Sequence, residues 1–197
     1  VATTTHQTDD VLAEYLLDLG VKFVRGSQND LLDRYVLASL KTDAKVLVRV
    51  TADCPFVDPF LLDSMLEEFT SRTDIDYLSN CDLASFPDGL DIEIFSRVLL
   101  STAQAECDDS AQREHVTPWM RVAGHCRIAT RVNDIDLSTL RWTVDEPEDI
   151  EVIRAVVNHF CGRSDFSWQD VFELYKVCPK LFAANARFLR NEGSLMG

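Results

Sequence analysis

Long apolar runs are missing from this 197-residue chain. Nothing approaches the ~20 consecutive apolar residues that a helix needs to cross a bilayer. The longest stretches, such as Val98-Leu99-Leu100, are too short even for the core of a signal peptide. A cytoplasmic protein without a membrane partner is expected. Basic residues are also scarce: 19 Lys and Arg stand against 33 Asp and Glu, a formal charge of −14. Such a surface repels polynucleotides and anionic lipid, so nucleic acid is not an expected partner. Cys54, Cys81, Cys107, Cys126, Cys161 and Cys178 form no C-x-x-C pair and no zinc-ligand spacing, which argues against a zinc site or a small disulfide scaffold. Mostly buried thiols in a reducing compartment are expected instead. Internal repeats and low-complexity segments are absent as well.

What is present is ordinary globular material, 46% hydrophobic and 26% charged, enough for a sizeable core. Strand-like and helix-like segments alternate. Strands are expected at residues 1–4, 21–24, 45–50, 75–79, 90–95, 127–132 and 140–144. The valine-rich segment 45–50 has the character of a buried parallel strand. Thr8 or Asp9 is expected to cap a helix reaching Leu19, with Val11, Leu12, Tyr15, Leu16 and Leu19 on one face. Asn29 or Asp30 caps a second, carrying Leu31, Leu32, Tyr35, Val36 and Leu40, and Pro59 opens a third with Leu61, Leu62, Met65, Leu66 and Phe69 at helical spacing. Further helices are expected at 97–107, 111–122 and 147–160, and two more, 168–177 and 179–190, follow without intervening strands. The alternation predicts an α/β domain on a largely parallel sheet, with a core over 1–161 and a helical extension of the same domain over 162–197.

In an open parallel sheet, ligands collect outside the carboxyl ends of the strands. Two acids fall there. The strand at 45–50 runs into Thr51-Ala52-Asp53-Cys54-Pro55, and that at 140–144 runs into Asp145-Glu146-Pro147-Glu148-Asp149. In each case a proline two residues on cuts the strand short and orders the turn. If the strands are near neighbours, Asp53 and Asp145 converge on one cleft. Two carboxylates without histidine or thiolate partners suit a hard cation such as Mg²⁺. Asp-x-Pro is equally a common turn, and Glu148 and Asp149 complement the dipole of the next helix; the residues alone leave both readings open.

The order of motifs resembles the cytidylyltransferase family that includes the spore-coat polysaccharide biosynthesis enzymes, relatives of those making CMP-Kdo and CMP-sialic acids. The matching stretches are Val1-Ala2-Thr3-Thr4, Val24-Arg25-Gly26-Ser27, Leu32-Asp33-Arg34-Tyr35 and Val48-Arg49-Val50-Thr51-Ala52-Asp53-Cys54-Pro55. They continue with Pro87-Asp88-Gly89-Leu90-Asp91-Ile92-Glu93, Arg113-Glu114-His115-Val116-Thr117-Pro118, Leu140-Arg141-Trp142-Thr143-Val144-Asp145 and Arg190-Asn191-Glu192-Gly193. The resemblance implies a glycosyltransferase-A-like, Rossmann-type three-layer sandwich with a mainly parallel sheet. It also implies Asp53 and Asp145 as the metal-binding aspartates, Mg²⁺ as cofactor, CTP and a small sugar as substrates, and a homodimer. A sugar oxygen would attack the α-phosphate of CTP in line, giving a CMP-sugar for surface polysaccharide and pyrophosphate.

This sequence departs from the family in two places. Ala52 stands where glycine is usual. The family's opening strand and basic, glycine-containing triphosphate loop have no counterpart, so the chain reads as N-terminally truncated, with weak or absent CTP turnover. The resemblance places Arg25, Ser27, Asp33 and Arg34 near the nucleotide, where an ordinary loop and a local salt bridge are the competing readings. It places Asp88, Asp91, Glu93 and His115 near the sugar. Asp88-Gly89 alone is a hairpin signal, Asp91 and Glu93 share one strand face, and a structural hydrogen bond is the other reading of His115. No residue stands out as a general base, and no catalytic residue is assigned. A non-catalytic sugar- or nucleotide-binding module and a nucleotide-sugar-dependent glycosyltransferase remain open on the residues alone.

Overall fold

Short strands and amphipathic helices alternate along the chain in a computed structural model that describes residues 1–190. Asn191, Glu192 and Gly193 of the family-like tail lie outside the described residues. The order is β1 (Ala2–Thr4), α1 (Asp10–Asp18), β2 (Val24–Gly26), α2 (Leu31–Ser39), β3 (Val46–Arg49), α3 (Pro59–Ser71), β4 (Tyr77–Ser79) and β5 (Glu93–Ser96), then α4 (Arg97–Glu106), α5 (Ser110–His115), β6 (Ile128–Thr130), α6 (Pro147–His159) and α7 (Trp168–Val177). β1 and β2 form a parallel pair with Thr3 opposite Arg25. The other four strands form a sheet in the order β3-β5-β4-β6. Backbone bonds from Ser96 N–H to Asp76 O and from Asn80 N–H to Ile92 O make β5 antiparallel to β4, whereas Asp76–Arg127 and Ser79–Arg131 bonds make β4 and β6 parallel. The result is a mixed α/β fold with mainly parallel strands.

The chain divides into two compact units, one of residues 1–47, 73–77 and 95–128, the other of 48–72, 78–94 and 129 onward. In the first unit Leu32, Tyr77, Phe95, Leu100, Val116 and Met120 form a buried cluster. α2 starts where the Asp30 carboxylate accepts the Asp33 N–H, and α4 where Ser96 accepts the Leu99 N–H. The second unit buries Met65, Leu78, Ile92, Ile94, Trp142, Val152, Val156, Val171 and Leu174. Buried Asp58 caps α3 through the Leu61 N–H and accepts the Trp168 N–H at 2.9 Å, which ties the starts of α3 and α7 together.

Several expectations are corrected. Residues 140–144 form no strand; one bridge joins Arg141 to Asp88. The reason is that this extended segment divides its bonds: Leu140 O accepts from Asp88 N, Asp88 O accepts from Trp142 N, and Asp53 O accepts from Val144 N. For the same reason Asp88-Gly89 is not a hairpin turn. The helix expected over 111–122 ends at His115, because buried Val116 takes φ 70° and Thr117 N–H bonds back to His115 O. Pro118 then denies the helix a donor. The expected 179–190 helix is a 3₁₀ turn, Pro179–Phe182, followed by irregular chain. In α1 only Ala13 and Leu16 are buried, while Val11, Tyr15 and Leu19 are exposed. Asp9 stands at the N-cap of α1 but makes no side-chain cap bond; its carboxylate accepts from Thr3 and Thr4 instead. All six cysteines are free, but only Cys54 and Cys107 are buried.

Gly89 carries the contact between the 88–90 and 141–143 segments. It has φ +101°, and an added Cβ would lie 2.5 Å from the Trp142 carbonyl carbon and 2.6 Å from the Thr143 nitrogen. Both are backbone atoms and cannot swing aside. Gly89→Ala is therefore expected to destabilise the protein by at least ~2 kcal/mol, read from the urea midpoint at unchanged slope. A loss below ~0.5 kcal/mol would show that the segments separate without penalty.

Candidate active site

In the second unit the chain leaves β3 into the 51–58 loop, where Cys54 N–H closes a turn on Thr51 O. Ala52 is not among the residues with positive φ, so its methyl group introduces no backbone strain. Asp53 follows, half-buried. Its carbonyl accepts the Val144 N–H at 2.9 Å and the Thr143 hydroxyl at 3.2 Å. These bonds join the Asp53 backbone to the residue preceding Asp145, so both acids stand at one end of this unit. Beside Asp53, burial pushes the Cys54 thiol up to about 12, which leaves it protonated and chemically quiet.

Asp145 is held by a neighbour that the sequence reading passed over. Its carboxylate accepts from Arg141 Nη2 at 3.0 Å while more than half of its side chain remains exposed. Arg141 is buried, and forks onto buried Asp149 through Nε at 2.9 Å and Nη2 at 2.8 Å. Asp149 also accepts the backbone N–H groups of Asp145 and Glu146, and the Asn185 amide at 2.8 Å. Burial raises the Asp149 pKa, but the Arg141, backbone and Asn185 donors outweigh it and hold the carboxyl well below 3.8. Arg141 in turn is pushed above its ordinary value by the same pairing. Asp149 was legible as an acid in the first turn of a helix; its fork with Arg141, eight residues earlier in the chain, had no local signal.

Asp88, Asp91 and Glu93 belong to the same unit. The buried Asn80 amide donates to Leu90 O and accepts from Ile92 N–H, both at 2.8 Å, so it clamps the segment that carries Asp91. Glu93 is buried against Arg49, and Asp91 pairs with Arg190. Asp88 lies 3.7 Å from Arg141 Nη1. Burial raises the Asp88 carboxyl to about 6 against the pull of Arg190, with Asp91 and Asp145 adding to the rise. Burial raises Asp91 as well, again opposed by Arg190, with Glu93 and Asp53 on the raising side.

This part of the unit thus sets the carboxylates of Asp53, Asp88, Asp91, Glu93, Asp145 and Asp149 against the guanidiniums of Arg49, Arg141 and Arg190. The negative excess and the all-oxygen donor set suit a hard cation. Among the described residues no group of three or more His, Cys, Asp or Glu is arranged to hold a metal by itself. Two aspartates fit Mg²⁺ in the manner in which that ion binds nucleotides, with substrate phosphates and water filling the remaining positions.

The other expected site residues lie in the first unit, where their polar atoms serve local structure. Arg25 donates to Thr4 O and His6 O and pairs with Asp10; Arg34 donates to Ala2 O. Asp33 accepts from Gln104, and the Ser27 hydroxyl accepts the Asn29 N–H. His115 is exposed at the end of α5. Its neighbour Arg113 is committed to Asp30, Gln104 and the Cys107 carbonyl.

The chain is similar to known proteins in sequence and in fold. Residues 1–123 match the family described as Cytidylyltransferase. The chain is 29% identical over 184 residues to Spore coat polysaccharide biosynthesis protein SpsF of Bacillus subtilis, over 91% of this chain and 75% of that protein. It is 36% identical over 120 residues to an uncharacterized protein of Methanocaldococcus jannaschii, over 61% of this chain and 48% of that one. Among solved structures, a cytidylyltransferase from Leptospira borgpetersenii serovar Hardjo-bovis superimposes with a TM-score of 0.86 at 32% identity, over 91% of this chain and 76% of that one.

The Arg141–Asp149 fork has a direct consequence for stability. Asp149→Asn leaves a buried guanidinium short of its counter-charge, and a loss of about 3–5 kcal/mol is expected, measured by urea unfolding at neutral pH. The folded-state value of Asp149 lies below the unfolded 3.8. Its contribution is therefore complete above that value and disappears as pH falls through the range beneath it. The wild type should lose stability there, and the variant should lose less. Parallel curves for the two proteins would refute the assignment.

Proposed function

The chain belongs to the cytidylyltransferase family, and on that premise we propose that it activates a small sugar with CTP in a Mg²⁺-dependent reaction, yielding a CMP-sugar and pyrophosphate. Family membership puts it among nucleotidyltransferases, ahead of the glycosyltransferase and the non-catalytic module that the residues alone left open. The sugar-activating part of the proposal is supported by the likeness to a protein named for spore coat polysaccharide biosynthesis. The observation that carries the site assignment is the backbone bond between Asp53 O and Val144 N, which sets Asp53 and Asp145 at one end of the second unit.

In this reading Asp53 and Asp145 hold Mg²⁺, which supplies charge neutralisation for the phosphates and the departing pyrophosphate. Arg141 keeps the Asp145 carboxylate in one orientation while leaving its outer face open. Asp88 and Asp91 accept hydrogen bonds from the sugar hydroxyls and orient the attacking oxygen. Glu93, fixed by Arg49, forms the floor beneath them. Catalysis then rests mainly on positioning: the oxygen–phosphorus bond forms on one side of the α-phosphate as the bond to pyrophosphate breaks on the other. Arg25, Ser27, Asp33, Arg34 and His115 are assigned to substrate only by family pattern. Their local hydrogen bonds favour a role in shaping the first unit. A cytoplasmic location and a homodimer belong to the same reading; no described helix is long and apolar enough to cross a membrane.

Pyrophosphate release with CTP, Mg²⁺ and a panel of monosaccharides tests the reaction. Asp53→Asn and Asp145→Asn should each lower the rate by roughly 10²-fold or more and weaken Mg²⁺-dependent CTP binding in calorimetry. Asp145 is exposed, so its variant should melt close to the wild type. Wild-type rates in Asp145→Asn would remove that residue from the metal site.

A further inference from the structure

Arg190 is the guanidinium of the acidic site that comes from the irregular chain near the end of the described residues. Arg49 lies on β3 and is paired with Glu93; Arg141 is buried and forked onto Asp149. Arg190 follows the 3₁₀ turn Pro179–Phe182 and reaches back across the sequence to donate to the Phe86 carbonyl at 3.2 Å and to the Asp91 carboxylate. The chain leading to it is anchored beside Arg141. Asn185 donates to the Arg141 carbonyl at 3.1 Å, the Phe188 ring lies 5.5 Å from the Arg141 guanidinium, and Leu189 O accepts from Arg141 Nη1 at 3.3 Å. These contacts deliver the Arg190 side chain to Asp91 with little freedom left to it. It is itself mostly buried.

We infer that Arg190 is a positioning residue for the acceptor sugar: through Asp91, and through the field it exerts on Asp88, it keeps both carboxylates charged and aimed as acceptors for sugar hydroxyls. The inference rests on the sugar-binding reading of those two aspartates. The charges around each make the need plain. Asp88 faces Asp91 and Asp145 as well as Arg141, and Asp91 faces Glu93 and Asp53. Both are driven toward the neutral acid by burial, and for both Arg190 is the largest opposing influence. Without it, both are pushed further toward the neutral acid. A protonated carboxyl offers a donor where the hydroxyl needs an acceptor, and the hydrogen bonds that orient the attacking oxygen weaken.

The same contacts also staple the last described residues to the second unit, and a purely structural role has to be separated from the positioning one. Arg190→Gln and Arg190→Lys in the full chain do so, with Tm recorded for each. In protein carrying ¹³C at the aspartate carboxyls, Arg190→Gln should raise the pH at which Asp88 and Asp91 titrate by about one unit, and Arg190→Lys should leave it near the wild type. In steady-state kinetics, Arg190→Gln should raise the sugar KM by roughly tenfold or more with the CTP KM changed less than about twofold; Arg190→Lys should recover most of the loss. Unchanged titration of both aspartates, or a fall in Tm without any change in titration, overturns the inference. A wild-type protein that turns over no sugar tells against the proposed function instead, and the carboxyl titration then decides the role of Arg190 alone.

Discussion

The Arg141 guanidinium has almost no water around it, and a cation in that position is tolerable only with its counter-charge fixed beside it. Asp149 provides that counter-charge by accepting from five donors: two on Arg141, the backbone N–H groups of Asp145 and Glu146, and Asn185. Much of the second unit follows from this pair. Asp149 sits in the first turn of α6, so the fork fixes where that helix starts. It holds the backbone at Asp145, and Arg141 Nη2, which donates to Asp149, donates to the Asp145 carboxylate as well and orients it. It also gives the irregular chain after the 3₁₀ turn something to bind. Such a pair contributes less to net stability than its Coulomb energy suggests, but breaking it is severe. It therefore specifies one arrangement of the site.

Around this fixed centre the charges are unequal by design of the sequence. Acids outnumber bases across the whole chain, and they do so again among Asp53, Asp88, Asp91, Glu93 and Asp145. Burial, with neighbouring carboxylates adding to it, raises the proton affinity of Asp88 and Asp91, while Asp145 stays more than half exposed. In the proposed reaction a nucleoside triphosphate with its magnesium would bring both signs of charge to such a site, so an acidic surface is compatible with an anionic substrate.

Local chemistry made much of the fold readable. Pro59 announces α3, and the helices expected from 147 and from 168 start at Pro147 and Trp168 as α6 and α7. The Val-rich strand β3 and the turn after it also follow from local pattern. Three features did not. The 140–144 segment looks like a strand but spends its hydrogen bonds on two separate partners, a tertiary choice without local trace. Val116 breaks its helix through a positive φ that a β-branched residue rarely takes. The chain after Phe182 has helical composition, but Asn185 and Arg190 are committed to residues far away in sequence. At the site, Asp53 and Asp145 were singled out as strand-end acids and by family pattern, and of the two only Asp53 follows a strand. The arginines that hold the acids could not, because ion pairs between distant segments leave no periodicity to detect.

The central claim is that Asp53 and Asp145 hold the divalent ion that accompanies CTP. The most direct test is anomalous diffraction from a crystal of the protein soaked with Mn²⁺ and CTP. The account predicts one strong anomalous peak within coordinating distance of both carboxylates and adjacent to the triphosphate. Nucleotide bound with the metal peak elsewhere, or with no peak beside these two residues, would contradict it.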